Sequence, residues 1–255
     1  MIDLHSHILP GIDDGAGTIQ DSIEMARAAQ LNGIHTVVAT PHHKNGAWDN
    51  SGQDIPHLVD YVNESLKSAR IDVKVLPGQE NRINGELVDD LKKGISIGLN
   101  HSRYVFVEFS SAQVPRYAKQ LMFELQVEGY VPVIVHPERT KAFREQPDLL
   151  HEFVKNGALT QVTAHCFTGK MDKSIKQFAE NMITHNLTHV VSTDAHNIDM
   201  RPFDLREAYD YIDHHLGSEY VDTFLENAER IIENKDPLLD EPLKIRNKKK
   251  FLGLF

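Results

Sequence analysis

Cysteine is almost absent from this chain, since Cys166 is the only one among 255 residues. A single cysteine cannot form a disulfide within the chain, and it cannot supply the several thiolates of a soft metal site. A lone free cysteine is typical of a reducing compartment. Met1 leads directly into a strand-like segment, so no signal peptide is expected. We therefore predict a cytoplasmic protein.

Long apolar runs and positive net charge are missing as well. No apolar run in the sequence approaches the roughly 20 residues of a membrane-spanning helix. The formal net charge is −10, and an acidic surface repels the phosphate backbone of nucleic acids. We therefore do not expect nucleic acid as a partner. The hydrophobic fraction of 40% is that of an ordinary globular protein, and the length suffices for one sizeable core.

Histidine, in contrast, is abundant, with 15 residues. Histidines and carboxylates repeatedly come at the end of apolar, β-branched runs, and the same pattern occurs six times along the chain. The six segments are residues 2–7, 39–43, 76–80, 107–109, 135–139 and 193–196. The carboxyl ends of parallel strands open on one rim, so these side chains are expected to converge. Imidazole and carboxylate ligands together suit manganese, iron or zinc.

Strand-like and helix-like segments alternate along the sequence. The strand-like segments are 2–4, 35–39, 73–76, 104–109, 131–135, 159–163 and 189–192. The helix-like segments are 18–32, 55–69, 116–128, 149–155, 174–185, 205–216 and 220–234, the last holding one or two helices. Thr18 with Asp21 has the pattern of a capping box, and Gly33 is expected to end the first helix.

This alternation predicts an α/β fold with a parallel sheet. A doubly wound sheet would gather its ligands from two or three strands at one switch point. Here the candidate ligands follow nearly every strand, which favours a closed or nearly closed barrel of seven units.

Several candidate ligands are ambiguous from the residues alone. His5 and His7 are two apart in a strand and therefore point to the same side. Asp13 or Asp14, in a glycine-rich loop, could add a carboxylate, and one member of the pair 42–43 is expected to be a ligand and the other a neighbour. The further candidates are Glu80, Glu108, His136, Asp194 and His196. They exceed what one ion needs, so two or three ions are expected.

Closely spaced metal ions activate water and neutralise charge in phosphoryl transfer. Such a reaction also needs cations for the phosphate oxygens. Arg139 comes three residues after His136, and Arg201 five after His196, so both are expected to face the rim. The planar guanidinium matches phosphate geometry. For each arginine alone, a surface salt bridge is an equally good interpretation.

Together these motifs resemble the polymerase and histidinol phosphatase (PHP) superfamily. More specifically, they are similar to the CpsB/CapC/YwqE group, the bacterial protein-tyrosine phosphatases of capsule and exopolysaccharide operons. The similarity rests on residues 2–15, 40–43, 76–80, 136–139 and 194–197, with Arg201-Pro202, and it extends from residue 1 to about 235.

The resemblance implies a distorted (β/α)7 TIM-like barrel and three ions, usually Mn²⁺. It implies three ligand sets, namely His5, His7, Glu80 and Asp194, then Glu80, Glu108 and His136, then Asp14, His42 and His196. Arg139 and Arg201 would bind the phosphate. The implied substrate is phosphotyrosine on the tail of a cognate tyrosine autokinase that controls polysaccharide export. Residues 1–243 would form one catalytic domain, and 244–255 a basic and apolar tail.

Other functions stay open. One is histidinol-phosphate phosphatase, from the same superfamily. Another is a docking module that captures phosphotyrosine without cleaving it, and a nuclease is disfavoured by the acidic charge. The tail could dock on a membrane or on the kinase, or be a solvated terminus. A cysteine mechanism is rejected, because the sixth residue after Cys166 is Asp172 and not the arginine that such a loop needs. Loop 164–172 also departs from the group's usual pattern.

Overall fold

A computed structural model describes residues 1–245. Over these residues it has nine β-strands, which are β1 Ile2–Ser6, β2 Thr36–Ala39, β3 His42–His43, β4 Lys74–Pro77, β5 Glu80–Arg82, β6 Tyr104–Glu108, β7 Val131–Val135, β8 Leu159–Thr163 and β9 Val190–Ser192. The nine α-helices in the same range are α1 Ile19–Leu31, α2 Ile55–Ser68, α3 Leu87–Lys92, α4 Ala118–Val127, α5 Lys141–Glu145, α6 Pro147–Lys155, α7 Lys173–Thr184, α8 Leu205–His215 and α9 Ser218–Ile232. Among the helices of residues 1–245, none has the length and apolar character needed to cross a membrane.

All strand pairings are parallel and follow chain order. One sheet has the order β1-β2-β4 and the other the order β3-β5-β6-β7-β8-β9. An isolated parallel bridge between Ser6 and Ala195 links the end of β1 to the segment after β9. The predicted α/β fold with parallel sheets is therefore confirmed, while the closed seven-unit barrel stays a prediction.

Each of the seven predicted strands has its counterpart, and β3 and β5 are additional. Pro41 separates β3 from β2, and Gly78 separates β5 from β4. Proline cannot donate a ladder hydrogen bond, and a Cβ on Gly78 would lie 2.7 Å from a methyl of Val38. The chain therefore changes sheet at these two positions. His42 and Glu80 are paired residues just beyond them.

The strands are apolar on both faces because helices cover the sheets from outside. In β6, for example, Tyr104 and Phe106 belong to the inner cluster, and Val105 and Val107 to the cluster that contacts the helices. The Phe106 ring lies 5.1 Å from the ring of His5. The inner apolar cluster therefore ends directly beneath the polar residues at the carboxyl ends of the strands.

The first helix begins as the sequence predicts. The backbone N–H of Asp21 donates to Thr18 Oγ1 at 3.2 Å, and the Thr18 N–H donates to Asp21 Oδ2 at 2.9 Å, which completes the capping box. Gly33, with φ of 84°, follows the helix end. Helices α3 and α5 were not predicted because six and five residues are too few to show a helical period.

Candidate metal centre

The carboxyl ends of the strands bring the nine predicted ligand residues together. Ligand atoms lie within 4.8 Å of one another in three overlapping groups, which are His7, Asp14, His42 and His196, then His5, His7 and Glu80, then His42, Glu80 and Glu108. His136 Nε2 lies 2.8 Å from Glu80 Oε1, and Asp194 Oδ1 lies 3.3 Å from His7 Nε2. Glu80 contacts members of all three groups and is the centre of the cluster.

The grouping differs in three details from the sets implied by the resemblance: His7 also joins Asp14, His42 and His196, His42 stands with Glu80 and Glu108 in place of His136, and Asp194 and His136 contact the groups without being members. His42 is within reach of Glu80 and Glu108, as well as of Asp14 and His196. His42 Nδ1 lies 2.8 Å from Glu80 Oε2, and its Nε2 lies 3.3 Å from Asp14 Oδ1. The ring of His42 therefore stands between two of the groups and has one nitrogen for each.

The polypeptide is strained where two of these residues leave their strands. His136 follows β7 with φ of 35°, and Asp194 follows β9 with φ of 57°. Positive φ is disfavoured for residues with a Cβ, and such strain is concentrated at functional sites. Gly15 shows a related constraint, because a Cβ there would lie 2.0 Å from the backbone oxygen of His7.

Six ligand atoms in the cluster are buried and make no hydrogen bond of acceptable geometry within residues 1–245, although they lie close to one another, as His42 Nδ1 does to Glu80 Oε2 at 2.8 Å. They are His5 Nε2, His7 Nε2, His42 Nδ1, Glu80 Oε2, Glu108 Oε2 and His196 Nε2. Buried polar atoms normally have a hydrogen-bond partner, and leaving such an atom without one costs about 1–3 kcal/mol. Imidazole nitrogens and carboxylate oxygens that point at a common centre are the donor set of a divalent transition metal. The residues therefore fit a metal cluster.

Two neighbouring residues fix the orientation of the first two histidines. His5 Nδ1 donates to Gln161 Oε1 at 2.9 Å, and His7 Nδ1 donates to Asp13 Oδ2 at 2.7 Å. In both rings the Nε2 atom is thereby left to face the cluster, which is how histidine ligands are usually held. Sequence analysis did not identify Gln161, and it considered Asp13 only as a direct ligand.

The structure also distinguishes the members of the two ambiguous pairs, which are Asp13 with Asp14 and His42 with His43. Asp14 Oδ1 lies 3.4 Å from His196 Nε2 and joins the cluster, whereas Asp13 supports His7. His42 is in the cluster, whereas the Nδ1 atom of His43 lies 3.0 Å from Asp49 Oδ1 outside it.

Burial and charge shift the pKa values in the cluster strongly. Burial lowers the pKa of His7, but Asp13 outweighs it and raises the pKa to about 9. Burial likewise opposes protonation of His42, yet Asp14 and Glu80 raise its pKa to about 11. Burial and the neighbouring His7 lower the pKa of His196 to about 4. A cation entering this cluster would compete with protons on two of the three rings.

The carboxylates of the cluster are also perturbed. Burial alone would raise the pKa of Glu80, but the facing histidines, led by His5, hold it well below its usual range. Burial and the negative charge of Glu80 raise the pKa of Glu108. Perturbed pKa values of opposite direction in one cleft are typical of active sites.

Both predicted arginines lie at the rim, but they share one carboxylate oxygen. Arg139 Nη1 lies 2.7 Å and Arg201 Nη2 lies 2.6 Å from Asp194 Oδ2. Their side chains are 23% and 33% exposed, so each still presents donors to solvent. Although burial opposes it, these cations and His5 hold the pKa of Asp194 well below its usual range. The other oxygen of Asp194 faces His5 and His7.

Cys166 is fully buried and is no nucleophile in this geometry. Its sulfur lies 3.5 Å from Glu138 Oε1. Burial and the nearby carboxylate of Glu138 raise the pKa of the thiol well above its usual value. The thiolate, which is the reactive form, is therefore suppressed. This agrees with the rejection of a cysteine mechanism from the sequence.

Comparison with known proteins relates the chain to one family and to named relatives. The model of the family "Capsular polysaccharide synthesis, CpsB/CapC" matches residues 1–233. Tyrosine-protein phosphatase YwqE of Bacillus subtilis (strain 168) is 44% identical over 255 residues, covering 100% of both chains. Tyrosine-protein phosphatase CpsB of Streptococcus pneumoniae is 30% identical over 238 residues, covering 91% of this chain and 98% of the relative.

Solved structures extend the comparison to the fold. One crystal structure, from a study of YwqE of Bacillus subtilis and CpsB of Streptococcus pneumoniae as metal-dependent tyrosine phosphatases, matches with a TM-score of 0.94 and 44% identity, covering 97% of this chain and 100% of that one. A mutant organophosphorus hydrolase from Deinococcus radiodurans matches with a TM-score of 0.58 at 15% identity, covering 91% and 92% of the two chains. This second match shows a shared fold alone.

Proposed function

Because the chain belongs to the CpsB/CapC family, whose model matches residues 1–233, we propose that it is a metal-dependent tyrosine-protein phosphatase. The observation that carries the proposal is the cluster of imidazoles and carboxylates in which six buried ligand atoms have no hydrogen-bond partner within residues 1–245. Relatives named as tyrosine-protein phosphatases that align over the whole chain support it.

The proposed cofactor is two or three Mn²⁺ ions, with iron or zinc as alternatives. The proposed ligand sets are those given by the resemblance, namely His5, His7, Glu80 and Asp194, then Glu80, Glu108 and His136, then Asp14, His42 and His196. Hard carboxylate and borderline imidazole ligands without a thiolate favour these metals. The chemistry that such ions supply is the activation of water and the neutralisation of phosphoryl charge.

The protein's own side chains would bind and orient the phosphate. Arg139 and Arg201 each have guanidinium donors beyond those on Asp194, and these would hydrogen-bond to the phosphate oxygens. Sharing Asp194 fixes the two guanidinium groups relative to each other before substrate arrives. A phenolate is a tolerable leaving group, with a pKa of about 10, so the reaction does not require a dedicated strong acid.

The remaining expectations are part of the same proposal. We propose a distorted (β/α)7 barrel, supported by the chain-ordered parallel pairings and the bridge between Ser6 and Ala195. Residues 1–243 would be one catalytic domain, and of the predicted tail 244–255, residues 246–255 lie outside the described residues. The cognate tyrosine kinase as substrate, docking by the tail, and a cytoplasmic location stay predictions. They rest on the family's link to capsular polysaccharide synthesis and on the single free cysteine.

The proposal is tested by removing metal and restoring it. Chelator-treated protein should lose its activity on a phosphotyrosine peptide, and Mn²⁺ should restore it, because the bound ions would activate water and neutralise the phosphoryl charge. Cys166→Ser is the matched variant and should keep full activity. Activity that survives chelation and is lost in Cys166→Ser would overturn the proposal.

Two further measurements separate the alternatives. Histidinol phosphate should be turned over more slowly than the phosphotyrosine peptide, and the reverse order would favour the histidinol-phosphate phosphatase. A peptide that stays bound without release of phosphate, with metal present, would favour the docking module.

A further inference from the structure

Arg82 lies in the wall of the centre and was not among the predicted site residues. It is the last residue of β5, two positions after Glu80, so both side chains emerge on the same face of the strand. In the parallel pairing of β5 with β6, Arg82 is the direct partner of Glu108. The pair is therefore a cross-strand contact set by the register of the sheet.

The contact divides the carboxylate of Glu108 into two unlike oxygens. Arg82 Nη1 lies 2.9 Å from Glu108 Oε1, and the same nitrogen donates to the backbone oxygen of Phe109 at 3.2 Å. Glu108 Oε2 is buried and makes no hydrogen bond within the described residues. Glu108 itself belongs to the group formed with His42 and Glu80, in which one ligand atom of each residue lies within 4.8 Å of the others.

We propose that Arg82 is a positioning residue that holds one oxygen of Glu108 so that the other is presented to a metal ion. The inference rests on the proposed metal centre. A free carboxylate rotates between one-oxygen and two-oxygen binding, and pairing one oxygen with a guanidinium fixes the first mode. Outer partners of metal ligands typically contribute 10–100-fold in metal affinity.

Repulsion of the metal ion by Arg82 would have the opposite effect on metal affinity, so the direction of the change in affinity distinguishes the two roles. A guanidinium beside the centre adds positive charge, which repels a cation. If that repulsion dominated, removing Arg82 would tighten metal binding. The positioning role predicts weaker binding instead. The geometry favours positioning, because the Arg82 guanidinium contacts Glu108 and the Phe109 carbonyl oxygen rather than the other ligand residues.

The experiment measures metal binding without substrate. Arg82→Gln should bind Mn²⁺ about 10-fold more weakly in one step of a titration against a chelating indicator, and should retain fewer ions per chain by elemental analysis. Arg82→Lys, which keeps a cation but has a shorter side chain that reaches Glu108 and the Phe109 carbonyl less well, should lie between wild type and Arg82→Gln. If Arg82→Gln does not fold, Arg82→Lys carries the test.

A double-mutant comparison separates positioning from a general structural role. In a Glu108→Gln background, Arg82→Gln should cause no further loss, because the group it positions is gone. The matched control is Arg230→Gln, since Arg230 makes a similar pair with Glu226 (2.7 Å, 33% exposed) on α9. It should bind Mn²⁺ as wild type does.

Four results would overturn the proposal: tighter Mn²⁺ binding in Arg82→Gln, unchanged binding, effects of Arg82 and Glu108 that simply multiply, or a raised KM for phosphotyrosine peptide with unchanged metal content. The failure of the proposed function is distinguishable. Wild type that binds Mn²⁺ without phosphatase activity would overturn the function alone, whereas wild type that binds no Mn²⁺ would overturn both.

Discussion

Buried side-chain polar atoms without a hydrogen-bond partner are concentrated at the carboxyl end of the parallel strands, although Thr188 Oγ1 and Arg103 Nε at the amino end also lack one within residues 1–245. At the amino end, Asn227 Nδ2 donates to the backbone oxygens of His189 (3.0 Å) and Leu238 (3.1 Å), and its Oδ1 accepts from Leu238 N–H (2.6 Å). The Thr160 N–H donates to His189 Nδ1 at 3.0 Å. At the carboxyl end, six buried ligand atoms have no such partner within residues 1–245.

This difference separates the parts of the protein that stabilise the fold from those prepared for a ligand. Satisfied polar groups stabilise one conformation, and unsatisfied groups are tolerated where binding later satisfies them. Substitutions at the carboxyl end should therefore alter activity first, and those at the amino end should alter stability first.

The largest expected effect is at the carboxyl end. Glu80→Gln keeps the shape of the side chain but removes the charge that contacts all three ligand groups. We expect kcat/KM on a phosphotyrosine peptide to fall on the order of 10³-fold, corresponding to several kcal/mol of lost charge stabilisation. Circular dichroism should show the fold retained. Glu152→Gln, at an exposed pair with Lys119, is the control, and a loss below 10-fold in Glu80→Gln would break the comparison.

The next effect is a pH dependence that originates at the amino end. Burial lowers the pKa of His189 to about 4, against about 6.5 in the unfolded chain. Between pH 4 and 6.5 the unfolded state therefore binds a proton at His189 that the folded state does not. The contribution of neutral, buried His189 to the free energy of unfolding is complete above pH 6.5 and is lost as the pH falls toward 4. The full loss is about 3 kcal/mol.

His189→Asn isolates that contribution, because an amide oxygen can still accept from the Thr160 N–H without titrating. Relative to wild type, the variant should gain stability in urea unfolding as the pH falls from 7 to 4.5. Asp3, whose pKa burial raises to about 6, titrates in the opposite sense, but it is present in both proteins and cancels. A difference that does not change with pH would contradict the expectation.

The smallest expected effect is a loss of stability caused by a substitution at the amino end of the strands. Asn227→Ala removes one buried and two partly buried hydrogen bonds and leaves backbone groups unpaired. We expect the free energy of unfolding to fall by about 2 kcal/mol, with kcat/KM per folded molecule unchanged. Gln20→Ala, at an exposed pair with Glu24, should change stability by less than about 0.5 kcal/mol. Lost activity in folded Asn227→Ala would show that the two ends are coupled.

The sequence was sufficient for the strands, the main helices and the convergence of the nine ligand residues. Continuous apolar, β-branched runs end at polar residues, and parallel strands place those ends at one edge. It was insufficient for β3 and β5, which are only two and three residues long.

The partners that orient the ligands depend on tertiary structure. Gln161 is 156 residues from His5, and no local pattern connects them. Similarly, the sharing of Asp194 by Arg139 and Arg201 depends on how two loops meet. Arg82 was missed for another reason, because its spacing of two from Glu80 places both side chains on one face only within β5, a strand that the sequence did not predict.

The bridge between Ser6 and Ala195 has a consequence for the newly made chain. Two backbone hydrogen bonds in this region, from Asp194 N–H to His5 O (2.9 Å) and from His7 N–H to Ala195 O (2.8 Å), join the first strand to residues synthesised much later. At 5–20 residues per second, translation separates the two by roughly 10 to 40 s. During that interval one edge of the first strand lacks its final neighbour in the nascent chain. Nascent chains that stop before Asp194 lack part of the proposed metal centre.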